Sequence, residues 1–134
     1  MVKLFLRLSL AAGFLSAVAD RIGLWPDQVS AWGNWADFVS YTAVLLPWFS
    51  VSVVSVFAGI ATAAEVIFGF CLILGYKTRI VGRLSGILLL MFGVSMAVSL
   101  GMKAPLDYSV FAASAAAFAL GQMPEGRWEL DALI

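Results

Sequence analysis

Between its charged residues the chain reads as four long apolar runs: about Lys3 to Ile22, Val51 to Gly75, Ile80 to Leu100 and Leu106 to Met123. As helices rising about 1.5 Å per residue, each can cross a hydrocarbon layer of roughly 30 Å. The first run also starts with Lys3 and Arg7 and ends with Ala17-Val18-Ala19 before Asp20, which is the pattern of a cleavable signal peptide. The connection from Asp20 to Ser50 differs in kind, because it holds Trp25, Trp32, Trp35 and Trp48 and is punctuated by Pro26 and Pro47. Over residues 30–46, Ser30 stands as an N-cap and Trp32, Trp35 and Val39 recur on one face. This spacing predicts a helix that anchors at a membrane interface or lies as a lid over the bundle. The predicted architecture is all-α: one domain, residues 1–134, forming an integral membrane four-helix bundle with an additional interfacial helix between the first two spans.

Composition narrows the class. The sequence is 63% hydrophobic and 12% charged, with a mean hydropathy of +1.00, whereas soluble domains carry about 25% charged residues. Four spans leave no room for a separate soluble catalytic domain. The formal net charge of +0 offers no basic surface for nucleic acid. Histidine is absent, which removes the commonest metal ligand and the usual general base near neutral pH. Cys71 is the only cysteine, so an intrachain disulfide and a CxxC redox pair are excluded, and its apolar setting reads as a packed, inert thiol. No P-loop, dinucleotide fingerprint, nucleophile elbow or metal-spaced cluster is present. Neither a catalytic residue set nor an intrinsic cofactor is expected.

Basic residues set the orientation. Lys3, Arg7, Lys77, Arg79, Arg83 and Arg127 fall on one side of the four spans, against Arg21 and Lys103 on the other. Because Lys and Arg near span ends stay cytoplasmic, this predicts a multi-pass protein of a bacterial-type cytoplasmic (inner) membrane with both termini inside. Small residues recur at helical spacing: Ser9, Gly13 and Ala17, then Gly59 and Ala63, then Gly82 and Gly86. They suit close helix packing within the bundle or a homo-oligomer interface.

The stretch "GIATAAEVIFGF" places Glu65 inside the second span. A charge near the bilayer centre costs at least about 2.5 to 3.5 kcal/mol, so the acid is expected to face the interior and find a partner. Counting helical rise from the cytoplasmic ends puts Glu65 roughly 16 Å deep and Arg7 roughly 6 Å deep, which is marginal for pairing. Thr62, one turn away, and Ser114, at similar depth on the fourth span, are the nearer expected partners. Without a cation at its level Glu65 is expected to be neutral. Its role stays open between interhelical glue, a proton relay, a contact to a polar ligand head and a quinone contact. A second cluster, Asp20, Arg21, Lys103, Asp107 and Tyr108, is expected at the outer side, where mutual salt bridges are its simplest use.

Four pieces of the chain, "LRLSLAAGFLSAVADRIGLW", "AAEVIFGFCLILGYKTRIVG", "KAPLDYSVFAASAAA" and "GRWELDAL", together resemble the DoxX family of small four-span membrane proteins. The second is the most diagnostic, with an in-span Glu followed about ten residues later by a Gly-containing turn and a Thr-Arg pair. The resemblance implies a four-helix membrane fold with Glu65 and Arg79 at family-typical positions. It further implies association with quinone-linked or other membrane redox systems, so quinone or lipid is the expected ligand and redox-complex subunits and membrane lipids are the expected partners. A small accessory or anchor subunit fits a chain with so few catalytic groups. A proton-coupled, small-molecule or lipid transporter and an assembly factor for other membrane proteins are the alternatives.

Overall fold

The computed structural model describes residues 1–134, and every regular element in it is helical. In chain order the six α-helices are α1 (Val2–Arg21), α2 (Trp35–Leu45), α3 (Val51–Leu74), α4 (Thr78–Leu100), α5 (Lys103–Asp107) and α6 (Val110–Leu120), followed by a 3₁₀ turn at Leu130–Ala132. Three of them, α1 with 20 residues, α3 with 24 and α4 with 23, are long and apolar enough to cross a membrane. The fourth expected span is not one helix. Ser109 adopts a left-handed backbone, φ 55°, and divides the run into α5 and an α6 of 11 residues, about 16 Å long.

α1 and α3 are antiparallel, as are α4 and α6. The turn between α3 and α4 closes on Gly75 at φ 70°, a left-handed cap that lacks the Cβ strain other residues meet there. Lys3 and Glu129 are joined by a hydrogen bond of 2.8 Å, so both chain termini share one end of the molecule. α2 lies at the opposite, loop end, where Ser99 Oγ donates to Leu45 O at 2.7 Å and ties it to α4. α2 starts later than the sequence pattern predicts. Its cap is Asn34, whose Oδ1 accepts from Asp37 N at 2.9 Å, while Ser30 is occupied elsewhere.

The interior is small. Leu10, Ala11 and Phe14 of α1 meet Leu72 of α3, Val81 of α4 and Ala117 and Leu120 of α6. Large side chains such as Phe5, Ile60, Ile67, Phe70, Ile80 and Met91 point outward, an arrangement that hydrocarbon tolerates and water penalises. Glycines make the seams. A Cβ at Gly82 would stand 2.9 Å from Gly121 N and 3.0 Å from Ala117 O, and one at Gly86 would stand 2.8 Å from the Phe118 ring, so α4 and α6 pack backbone to backbone. Gly69 plays the same part for Leu15 of α1, at 2.8 Å. The other small residues make no seam within the bundle: Ser9, Gly13 and Ala63 are exposed, and nothing lies within 4 Å of a Cβ built at Gly13 or Gly59.

Candidate functional site

Glu65 is buried on α3, and its partner is Arg21, the last residue of α1. Arg21 Nη2 stands 3.0 Å from Glu65 Oε1, and Arg21 Nη1 donates to Thr62 Oγ1 at 2.7 Å. The meeting follows from helix geometry. Every Cα–Cβ bond tilts toward its helix N-terminus, so on antiparallel helices the two side chains lean toward one another. Arg21 leans back from the loop end into the bundle, and Glu65 leans out toward it. A count of Cα levels misses this, because a guanidinium lies about 6 Å from its own backbone. Arg21 thus brings to Glu65 a cation that the count of depths does not place at its level.

Aromatic rings close the site from the loop end. Arg21 Cζ lies 3.8 Å from the centroid of Phe38 on α2 and 5.5 Å from that of Trp32, and the two rings meet edge to face at 5.1 Å. Desolvated contacts of this kind contribute about 2 kcal/mol. Asp20, next in sequence to Arg21, faces the other way and organises the cover. Its carboxylate accepts from Ala31 N at 2.7 Å, Gly33 N at 2.9 Å, Trp32 N at 3.2 Å and the Ser30 hydroxyl. Arg21 Nε, buried, has no hydrogen-bond partner.

The remaining candidate residues are dispersed. Ser114 Oγ donates to Gly86 O at 2.7 Å and so serves the α4–α6 seam, not Glu65. Arg7 sits at the terminal end, where Nε donates to Leu72 O and Nη2 to Ile73 O, each at 2.8 Å, and Nη1 donates to Trp128 O. It thereby satisfies carbonyls that the end of α3 leaves free. The expected outer cluster also splits. Asp20 and Arg21 belong to the covered site, whereas Lys103 and Asp107 pair only with each other at the surface and Tyr108 is exposed.

The sequence gives no separate hint of a second polar site formed by the C-terminal segment; "GRWELDAL" enters only as part of a resemblance. Glu129, buried, takes Lys3 at 2.7 Å and lies 3.7 Å from Arg7. Asp131 accepts from Lys77 N at 2.6 Å and Thr78 N at 2.8 Å, capping α4. Burial pushes the Asp131 carboxyl up, but these backbone bonds outweigh it and hold the group below its ordinary range. No three His, Cys, Asp or Glu residues are gathered for a metal ion. In comparisons with protein-family models, curated proteins and solved structures, none matches this chain.

Proposed function

We propose that the chain is a DoxX-like multi-pass protein of a bacterial-type cytoplasmic membrane and acts as a small accessory or anchor subunit of a quinone-linked redox system. In this reading α1, α3, α4 and the α5–α6 pair form a four-part membrane bundle. Both termini are cytoplasmic, and α2 rests at the outer interface. The observation that carries it is the buried Arg21–Glu65 pair beneath the Phe38 and Trp32 rings, a polar group within a spanning helix under a cover that α2 provides. Such a site suits a ligand with an oxygen acceptor and a flat ring. Arg21 Nε is a donor without a partner, and the aromatic side chains wall the guanidinium on the loop side. Bound there, a quinone supplies two-electron, two-proton redox chemistry. The protein supplies position and a fixed charge pair, and a partner subunit supplies the electrons.

Capture from native membranes tests this. Wild-type protein should bring down a flavin, haem or disulfide enzyme together with quinone, and Glu65→Gln should keep the partner but lose quinone. A chain recovered without any redox partner, yet giving Glu65-dependent flux in liposomes, would make it a transporter. Orientation is tested with single cysteines at Gln28 and Gln122 in a Cys71→Ser background. Both positions are exposed, and they should label from opposite sides, with Gln122 cytoplasmic; labelling of Gln122 from outside rejects the assignment.

A further inference from the structure

All eight basic residues and all eight acidic ones are divided unequally between the two ends of the fold. The terminal end holds Lys3, Arg7, Lys77, Arg79, Arg83 and Arg127 with Glu125, Glu129 and Asp131. The loop-end half holds Arg21 and Lys103 with Asp20, Asp27, Asp37, Glu65 and Asp107. Only Lys3, Arg7, Arg21 and Lys103 have a carboxylate within 4.0 Å. Lys77, Arg79, Arg83 and Arg127, exposed and without an ion pair, therefore all lie at the terminal end.

Two of these form a defined arrangement. Arg79 and Arg83 are four residues apart on α4, so they share a helix face, where like charges repel by a few tenths of a kcal/mol. The stem of Arg83 lies against the end of α6, since its Cγ is 2.7 Å from a Cβ built at Gly121. Beside Arg79 runs an open groove of about 400 Å³, walled by Tyr76, Ile80 and Ile134 and edged by Lys77. Basic groups next to apolar side chains at the ends of long apolar helices match the two halves of a lipid. A phosphate placed between the guanidiniums turns their repulsion into charge-assisted hydrogen bonding. Two carboxylates also line the groove. Asp131 keeps its charge, but both of its oxygens are engaged by the backbone N–H groups of Lys77 and Thr78, which leaves Glu125 as the lining carboxylate free to compete with a phosphate for the guanidiniums.

We infer that this groove and the Arg79–Arg83 face bind the headgroup of an anionic phospholipid, with Tyr76 and Ile80 against its glycerol and upper acyl region. The inference rests on the membrane placement proposed above. The test is reconstitution into nanodiscs of equal dioleoyl phosphatidylglycerol and dioleoyl phosphatidylcholine, followed by native mass spectrometry of the lipids retained. Wild-type protein should retain phosphatidylglycerol preferentially, by roughly fivefold for each arginine engaged. Arg79→Gln/Arg83→Gln should bring the ratio to parity, Glu125→Gln should raise it, and Lys103→Gln at the other end should leave it unchanged. Helicity measured by circular dichroism confirms that each variant is folded. Incorporation with parity in the wild type, or a preference that the double variant keeps, overturns the lipid site alone. Failure to incorporate overturns the membrane reading and the lipid site with it.

Discussion

Asp20 and Arg21 are consecutive, carry opposite charges and do not serve each other. One side chain gathers three backbone N–H groups of the following loop, and the other crosses to α3. Removing the cation leaves Glu65 buried without its partner, so Arg21→Met should destabilise the protein by about 3 to 5 kcal/mol. Arg21→Met/Glu65→Leu should recover most of that loss, because a well-packed apolar pair replaces the ion pair. Thermal unfolding of the two variants in detergent measures both effects. Asp20→Asn should free Trp32 without breaking the ion pair, seen as a red shift and faster quenching of its fluorescence. Thr62 was legible as a neighbour of Glu65 from the spacing of three residues. Arg21 was not, because its Cα lies at the loop end and only the reach and tilt of its side chain bring the charge inward. Asp20 was less legible still: its ligands are backbone groups, which every residue has and no sequence pattern marks.

At the scale of elements, the α4–α6 seam is the most exacting contact in the fold. A methyl at Gly82 meets the backbone of Gly121 and Ala117 at 2.9 and 3.0 Å, and backbone cannot move aside cheaply. Gly82→Ala should cost about 1 to 3 kcal/mol. Gly13→Ala should instead be neutral or stabilising by up to about 1 kcal/mol, since nothing lies within 4 Å and alanine is the better helix former. Chemical unfolding of the pair side by side checks the contrast. The repeat of small residues was visible in the sequence, but it could not show which repeats face protein and which face outward. The break at Ser109 was also hidden. No glycine occupies that left-handed position, so the run from Leu106 to Met123 read as one helix.

For the whole molecule, the segment after α6 acts as a fastening across the terminal ends of α1, α3 and α4. Deletion of residues 124–134 should strip Arg7 of the Trp128 carbonyl and α4 of its Asp131 cap, lowering the unfolding temperature more than Arg127→Gln does. Asp131 also gives the fastening an acid limit. Its carboxyl is held below the ordinary value of 3.8, so its contribution is complete above that pH and is lost as pH falls through the lower, folded value. Protection of the Lys77 and Thr78 amides, measured as exchange relative to the intrinsic rate at each pH, should fall on that descent in wild type and be low already at neutral pH in Asp131→Asn. The long helices and their polar ends were legible in the sequence, whereas this fastening depends on a tail folding back over a distance that composition does not encode. The unequal helix lengths have a further consequence in a bilayer. α3, with 24 residues, exceeds the hydrocarbon thickness, at about 36 Å, while α6, with 11, falls short at about 16 Å. In the membrane placement proposed above, lipid beside α3 would stretch, or the helix would lean, while lipid beside α6 would be drawn thin even with the five residues of α5 ahead of it, and the protein should then gather in thinner membrane on that flank.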